Sequence, residues 1–234
     1  MKKAVILLSG GLDSVTIANI AKKNYDLYAL TFQYGQKHDI EIQFAKKNAK
    51  FLQVKEHHII EINDDIFSSS SLINRNLNIP KNREEISKSS SVPSTYVPAR
   101  NIIFLSYAVS YAENIEASDI FIGVNMVDYS GYPDCRDEFI KSFEDSINLG
   151  TSAKNKININ TPLINLNKKE IIQIGNKLGV RYELAHSCYD PILQHEKIYA
   201  CGVCDSCLLR LKGFKDNNLQ DPYPYHILKH EFRQ

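Results

Sequence analysis

The feature that most restricts the fold is a turn. Ser9-Gly10-Gly11-Leu12-Asp13-Ser14 follows the short apolar run Ala4 to Leu8 and leads directly into a helical pattern through Val15, Ile17, Ala18 and Ala21. An unbroken apolar run of that length suits a strand covered on both faces, as in a parallel sheet. Two glycines let the backbone turn tightly and approach a ligand with no Cβ in the way. The N–H groups of the helix's first turn then face one point, and the helix dipole adds positive potential there. Ser9 and Ser14 can add hydroxyl donors. Asp13 repels a bare phosphate, so its expected partner is a Mg²⁺ carried by a nucleotide. The bland alternative is an ordinary capped strand-to-helix turn.

The alternation continues beyond the turn. Leu27 to Phe32 reads as a second strand, Ile40 to Leu52 as a helix and His58 to Ile62 as a third strand. A β-α-β-α-β order implies a parallel, right-handed sheet with helices on both faces. Residues 63–96, rich in Ser and Asn, break the rhythm; a connection this long is either a tolerated surface insertion or a lid. Patterns for a helix over 102–114, a strand over 119–123, a helix over 137–149 and a strand over 157–161 follow. Asn167, with Glu170 three residues on, predicts a capping box, and Gly179 ends that helix. The expectation is an α/β, Rossmann-like doubly wound domain over 1–183 with a small metal-binding segment over 184–234 packed on it.

Composition excludes some functions. The formal net charge is +1, so nothing draws the whole chain to nucleic acid or acidic lipid. No apolar stretch approaches the ~20 residues of a membrane helix. The opening Met-Lys-Lys and apolar run stop at Ser9, too short for a secretion signal. These features lead to an expected cytoplasmic location, with no membrane partner.

Four of the five cysteines gather near the C-terminus, as in an intracellular metal site rather than a disulfide framework. Cys201, Cys204 and Cys207 stand at two-residue spacing, with Cys188 before them, and four thiolates match tetrahedral Zn²⁺. His186 or His195 could replace Cys188. An iron–sulfur cluster is the rival, but Leu208 stands where such motifs usually carry Pro. Zinc bound by four sulfurs is coordinatively closed and hence structural. Cys135 stands alone, either a small buried residue or a nucleophile.

Phe32-Gln33-Tyr34-Gly35 leaves the second strand at the sheet edge where doubly wound folds bind ligands, so Phe32 or Tyr34 is a candidate adenine contact or plain core. Leu8, Ser9, Gly10, Gly11, Leu12, Asp13 and Ser14 complete the expected ATP site. Two further strings, Tyr96 to Asn101 and Val127 to Arg136, combine Arg, aromatic and turn residues, which suits a planar polar ligand or simply structured turns.

SGGLDS resembles the PP-loop signature of enzymes that split ATP between its α- and β-phosphates. With FQYGQKH, TYVPARN, DYSGYPDCR and CGVCDSC, it is similar to the 7-cyano-7-deazaguanine synthase family from Ser9 to Cys207. Gln33 departs from the family where Asp is expected, and lacks its charge. The resemblance implies a PP-loop fold, structural zinc, a homodimer, and conversion of 7-carboxy-7-deazaguanine to the nitrile with ammonium and ATP-Mg²⁺. It implies a catalytic Lys168 at the leaving pyrophosphate, a solvated surface Lys being the alternative, with Asp13 on the Mg²⁺ and Arg100 or Lys37 as a further cation. Tyr96, Arg100, Asp128, Tyr132, Asp134 and Arg136 are the expected substrate contacts, Asp134 first and Asp128 second as acceptors for a guanine-like pair of N–H donors. Other readings are a PP-loop tRNA-modifying enzyme and a non-catalytic ATP sensor.

Overall fold

A computed structural model of the chain describes residues 1–36, 40–83, 86, 92–126 and 131–226. Five strands form one parallel sheet: β1 (Lys2–Leu7), β2 (Tyr25–Gln33), β3 (Glu56–Glu61), β4 (Asp119–Phe121) and β5 (Asn158–Asn160), in the order β3-β2-β1-β4-β5. Helices α1 (Leu12–Ala21), α2 (Ile40–Leu52), α3 (Arg100–Asn114), α4 (Asp137–Gly150) and α5 (Lys168–Lys177) alternate with them. The architecture is the doubly wound α/β sheet that the sequence predicts.

Strand β1 shows why. Val5 and Leu7 enter one core with Leu105 and Ile120, while Ala4, Ile6 and Leu8 enter the opposite core with Ile17 and Ile171. Side chains alternate across a strand, so a continuous apolar run is what two covered faces require. Because β1 lies between β2 and β4, the chain leaves it in opposite directions. The crevice at its carboxyl end is therefore the topological switch point where such folds bind ligands.

Helix α5 opens on the predicted box: Glu170 N–H donates to Asn167 Oδ1 at 3.0 Å, and Asn167 N–H to Glu170 Oε2 at 2.8 Å. This cap matters to function because it fixes Lys168 at the helix's first position. The C-terminal segment adds a hairpin, β6 (Ile192–Gln194) with β7 (Lys197–Tyr199), and helix α6 (Asp205–Asp216), whose Phe214 joins the core beside α5. Neither the hairpin nor the full length of α6 is expected from the sequence.

The Ser-rich connection is packed rather than loose over its described part. Phe67, Ser70, Ser71 and Ile73 are buried. Asn82 N–H donates to the Val203 carbonyl at 2.8 Å, Lys81 pairs with Asp190 at 2.5 Å, and Arg83 grips Asp205. Residues 81–83, near its middle, are thus tied to the cysteine segment. Among the described residues, no helix is long and apolar enough to cross a membrane.

Candidate active site and metal centre

The phosphate loop leaves β1 with Gly10 at φ +85°, and a Cβ there would lie 2.6 Å from the Ala45 nitrogen and 2.7 Å from the Glu41 carbonyl oxygen. Glycine is required at this position both by the left-handed backbone and by the close approach of α2. Gly11 has an ordinary φ of −77°; its missing side chain supplies room instead. Gly123, just after β4, approaches Asp13 and Ser14 so closely that a Cβ would sit 3.2 Å from their backbone. The sequence reading did not single it out.

The loop's N–H groups are not bare in this structure. Gly10 N–H donates to Ser14 Oγ (3.1 Å), Gly11 N–H to Ser9 Oγ (3.2 Å) and Leu12 N–H to Ser187 Oγ (3.0 Å). Three hydroxyl oxygens occupy the kind of position that phosphate oxygens take at a helix N-terminus. Ser187 is a surprise, reaching the loop from beside Cys188; His186 N–H also donates to the Gly10 carbonyl at 2.9 Å.

Asp13, expected on a Mg²⁺, and Lys168, expected at the leaving pyrophosphate, meet each other. Lys168 Nζ donates to both Asp13 oxygens at 2.8 Å. The lysine side chain is 8% exposed, so this pairing compensates a cation that burial would otherwise penalise. A phosphate brought to the loop would find both charges within reach.

Across the crevice, Arg100 starts α3 and lines the same cavity as Asp13, Lys168, Tyr34 and Tyr132. One of its terminal nitrogens donates to Tyr34 Oη at 3.3 Å, while Nε is buried with no hydrogen-bond partner among the described residues. Burial works against its charge, but Tyr34 and Asp134 more than offset that and hold the guanidinium charged. Phe32 also lines the cavity; its ring stacks on Phe104 at 4.0 Å between centroids, so it serves both core and wall.

The other expected substrate contacts divide. Tyr132 lines the cavity, its hydroxyl 2.7 Å from Thr95 Oγ1. Asp134 does not line it: the residue is 4% exposed, and Oδ2 accepts the Asn101 N–H at 3.0 Å. A helix N-terminus, with its unsatisfied donors, holds this carboxylate in place of a ligand. Tyr96 likewise turns its hydroxyl to the Ala99 N–H at 3.1 Å, supporting the left-handed Ala99 that precedes α3. Arg136 is exposed and away from the cavity lining. Asp128 and Lys37 lie outside the described residues. Cys135 lines the cavity and accepts from Asn101 Nδ2 at 3.4 Å; burial pushes its thiol up to about 12, so it is a poor nucleophile.

Sequence reasoning missed Glu41. It lines the cavity from the first turn of α2, and burial pushes its carboxyl up to about 7, with Arg100 pulling the other way. The only signal was an acid shortly after the FQYG string, which any solvated helix start also provides.

Cys188, Cys201, Cys204 and Cys207 are all buried, with sulfurs within 4.8 Å of one another. Tetrahedral zinc with bonds of about 2.3 Å needs sulfurs about 3.8 Å apart; Cys201 and Cys207 stand 3.9 Å apart. Backbone N–H groups point at the sulfurs, among them Cys201 N–H to Cys188 Sγ at 3.2 Å and Cys204 N–H to Cys201 Sγ at 3.3 Å. Such donors stabilise thiolates and orient metal ligands. The set could hold a metal ion, and Cys188 completes it. His186 instead places Nδ1 2.7 Å from Tyr223 Oη, while His195 sits in the hairpin turn outside the set.

The family model described as "Queuosine biosynthesis protein QueC" matches residues 3–218. The 7-cyano-7-deazaguanine synthase of Syntrophus aciditrophicus (strain SB) is 52% identical over 226 residues, covering 94% of this chain and 96% of that protein. The like-named protein of Rickettsia felis is 49% identical, covering 96% and 100%. Among solved structures, NMN synthetase from Francisella tularensis is similar at 19% identity and a TM-score of 0.48, over 80% of this chain and 66% of that one. NH3-dependent NAD synthetase from Campylobacter jejuni is similar at 17% and 0.44, over 78% and 66%. With the family model spanning nearly the whole chain and relatives at about half identity, the chain belongs to the QueC family of queuosine biosynthesis proteins.

Proposed function

We propose that this chain is an ATP-dependent ligase that converts 7-carboxy-7-deazaguanine and ammonia to 7-cyano-7-deazaguanine. The observation that carries the reading is one cavity at the sheet's switch point, where the phosphate loop and the Asp13–Lys168 pair face Arg100. A carboxylate is a poor acyl donor, so the substrate oxygen attacks the α-phosphorus of ATP and pyrophosphate leaves. Ammonia then displaces AMP to give the amide. The amide oxygen repeats the attack on a second ATP, and loss of AMP and two protons leaves the C≡N bond.

The chain's part is to bind and neutralise charge. The loop N–H groups receive phosphate oxygens as the serine hydroxyls turn from accepting those N–H bonds to donating to the same phosphate. Lys168 turns from Asp13 to the departing pyrophosphate, and the freed Asp13 would hold a Mg²⁺ brought with ATP, whose charge would offset that of the phosphates. Arg100, with an unused Nε–H, steadies the substrate carboxylate or the phosphate it attacks. Zn²⁺ held by Cys188, Cys201, Cys204 and Cys207 would be structural, fastening Ser187 against the loop. Asp134 acts at one remove, by anchoring the start of α3 on which Arg100 sits.

The test is turnover of purified chain with ATP, Mg²⁺, ammonium and 7-carboxy-7-deazaguanine. The expected result is nitrile with two AMP and two pyrophosphate for each product molecule. Pyrophosphate release that ignores the deazaguanine, or none at all, would falsify the assignment.

A further inference from the structure

The proposed reaction consumes a cation in a cavity that otherwise receives anions. Ammonium loses two protons as the amide forms, and the amide nitrogen loses two more as the nitrile forms. The cavity therefore needs an anionic group that attracts ammonium and accepts protons from nitrogen. Among the described residues lining it, Asp13 and Glu41 are the carboxylates. Both oxygens of Asp13 are held by Lys168 at 2.8 Å.

Glu41 is differently placed. Among the described residues no hydrogen bond reaches its carboxylate; burial raises its ionisation and the Arg100 charge pulls it down. Its backbone is pressed against the phosphate loop, the carbonyl oxygen lying 2.7 Å from where a Gly10 Cβ would be. Glu41 lines the cavity beside this loop, where the acyl adenylate of the proposed reaction forms. Facing groups are Arg100 from α3, Tyr34 from the end of β2, and the Asp13–Lys168 pair from α1 and α5.

We infer that Glu41 is the ammonium subsite: its carboxylate draws the cation in and takes the proton that frees a lone pair for attack on the acyl adenylate. The N–C bond forms as the carbon–oxygen bond to AMP breaks, and the same carboxylate collects protons shed by nitrogen, passing them to solvent. An ionisation near 7 suits an acceptor that must also release its proton. This inference rests on the proposed ligase activity.

The test is steady-state kinetics of Glu41→Gln at mildly alkaline pH, with ATP and 7-carboxy-7-deazaguanine saturating and ammonium varied. We expect kcat/KM for ammonium to fall on the order of 10²-fold, with the KM for ATP and for the deazaguanine within about 2-fold of wild type. Hydroxylamine, uncharged at that pH, needs no deprotonation before attack and should lose much less. The wild-type rate at limiting ammonium should rise with pH and break near 7, whereas the variant, left with the free-ammonia share alone, should rise steadily with no break there. Glu41→Asp should restore part of the rate, and matching melting temperatures exclude misfolding. An unchanged ammonium dependence overturns the inference, as does an effect confined to the deazaguanine KM, which would make Glu41 an acceptor for the guanine-like edge. Absence of nitrile from the wild type would sink the ligase reading itself, a separate outcome.

Discussion

The phosphate loop and the cysteine knuckle lie side by side and are built on opposite principles. The loop's shape is imposed by its surroundings: β1 is covered on both faces, α2 presses on Gly10, and Gly123 closes in behind Asp13. It needs no ligand to hold its form, because serine hydroxyls satisfy its donors. The knuckle has little regular structure, with two strands of three residues each ahead of α6. Its four sulfurs converge on one point, and without a cation there they could not all ionise so close together. One site is held by core packing; the other is suited to being held by a metal ion. They are joined through His186 and Ser187, each hydrogen-bonded to the loop.

Three substitutions test this contrast. The largest effect is expected from Gly10→Ala, which adds a Cβ 2.6 Å from the α2 backbone at a φ of +85°. ATP-dependent pyrophosphate release should fall at least about 10³-fold and stability by roughly 1–3 kcal/mol, while metal analysis still finds one ion per chain. Loss of the metal as well would show that the two regions are not separate.

Cys204→Ser comes next. Removing a metal ligand should lower metal content and cost about 4 kcal/mol or more, read by elemental analysis and thermal unfolding. ATP binding should weaken too, because Ser187 and His186 lose their anchor. Unaltered ATP affinity in the metal-depleted protein would break the proposed link.

Ser187→Ala has the smallest expected effect and isolates the joint itself. Loss of one hydroxyl from the phosphate site should raise the Kd for ATP about 3- to 10-fold, the equivalent of roughly 0.6–1.4 kcal/mol, with metal content unchanged. Isothermal titration calorimetry reads this directly. Tighter binding in the variant would mean that the hydroxyl competes with phosphate for the Leu12 N–H.

Much of the fold is legible because its elements carry local signals. Helix α2 runs over Ile40–Leu52 as its periodicity predicts, and α5 carries the capping box read from Asn167 and Glu170. The hairpin β6–β7 escaped notice for a physical reason. Its turn residues His195 and Glu196 both adopt positive φ, 48° and 60°, without the Gly or Asn that usually marks such a turn. Helix α6 was hidden behind the cysteine spacing, since Cys204 is at once a thiol of the cluster and the residue preceding the helix.

The candidate site divides along the same line. Residue types in fixed local spacing determined the strand-turn-helix phosphate loop and the three-cysteine cluster, because one turn of backbone places such neighbours together whatever the rest of the chain does. The alternation of strands and helices determined the doubly wound sheet. Tertiary structure alone decided which distant side chains share the crevice: Lys168 against Asp13, Ser187 on the loop, Cys188 with the other three thiols. It also distinguished the acids, binding Asp134 to a helix N-terminus and leaving Glu41 at the cavity wall. A carboxylate's availability depends on which donors the fold brings to it, and those donors lie far along the chain.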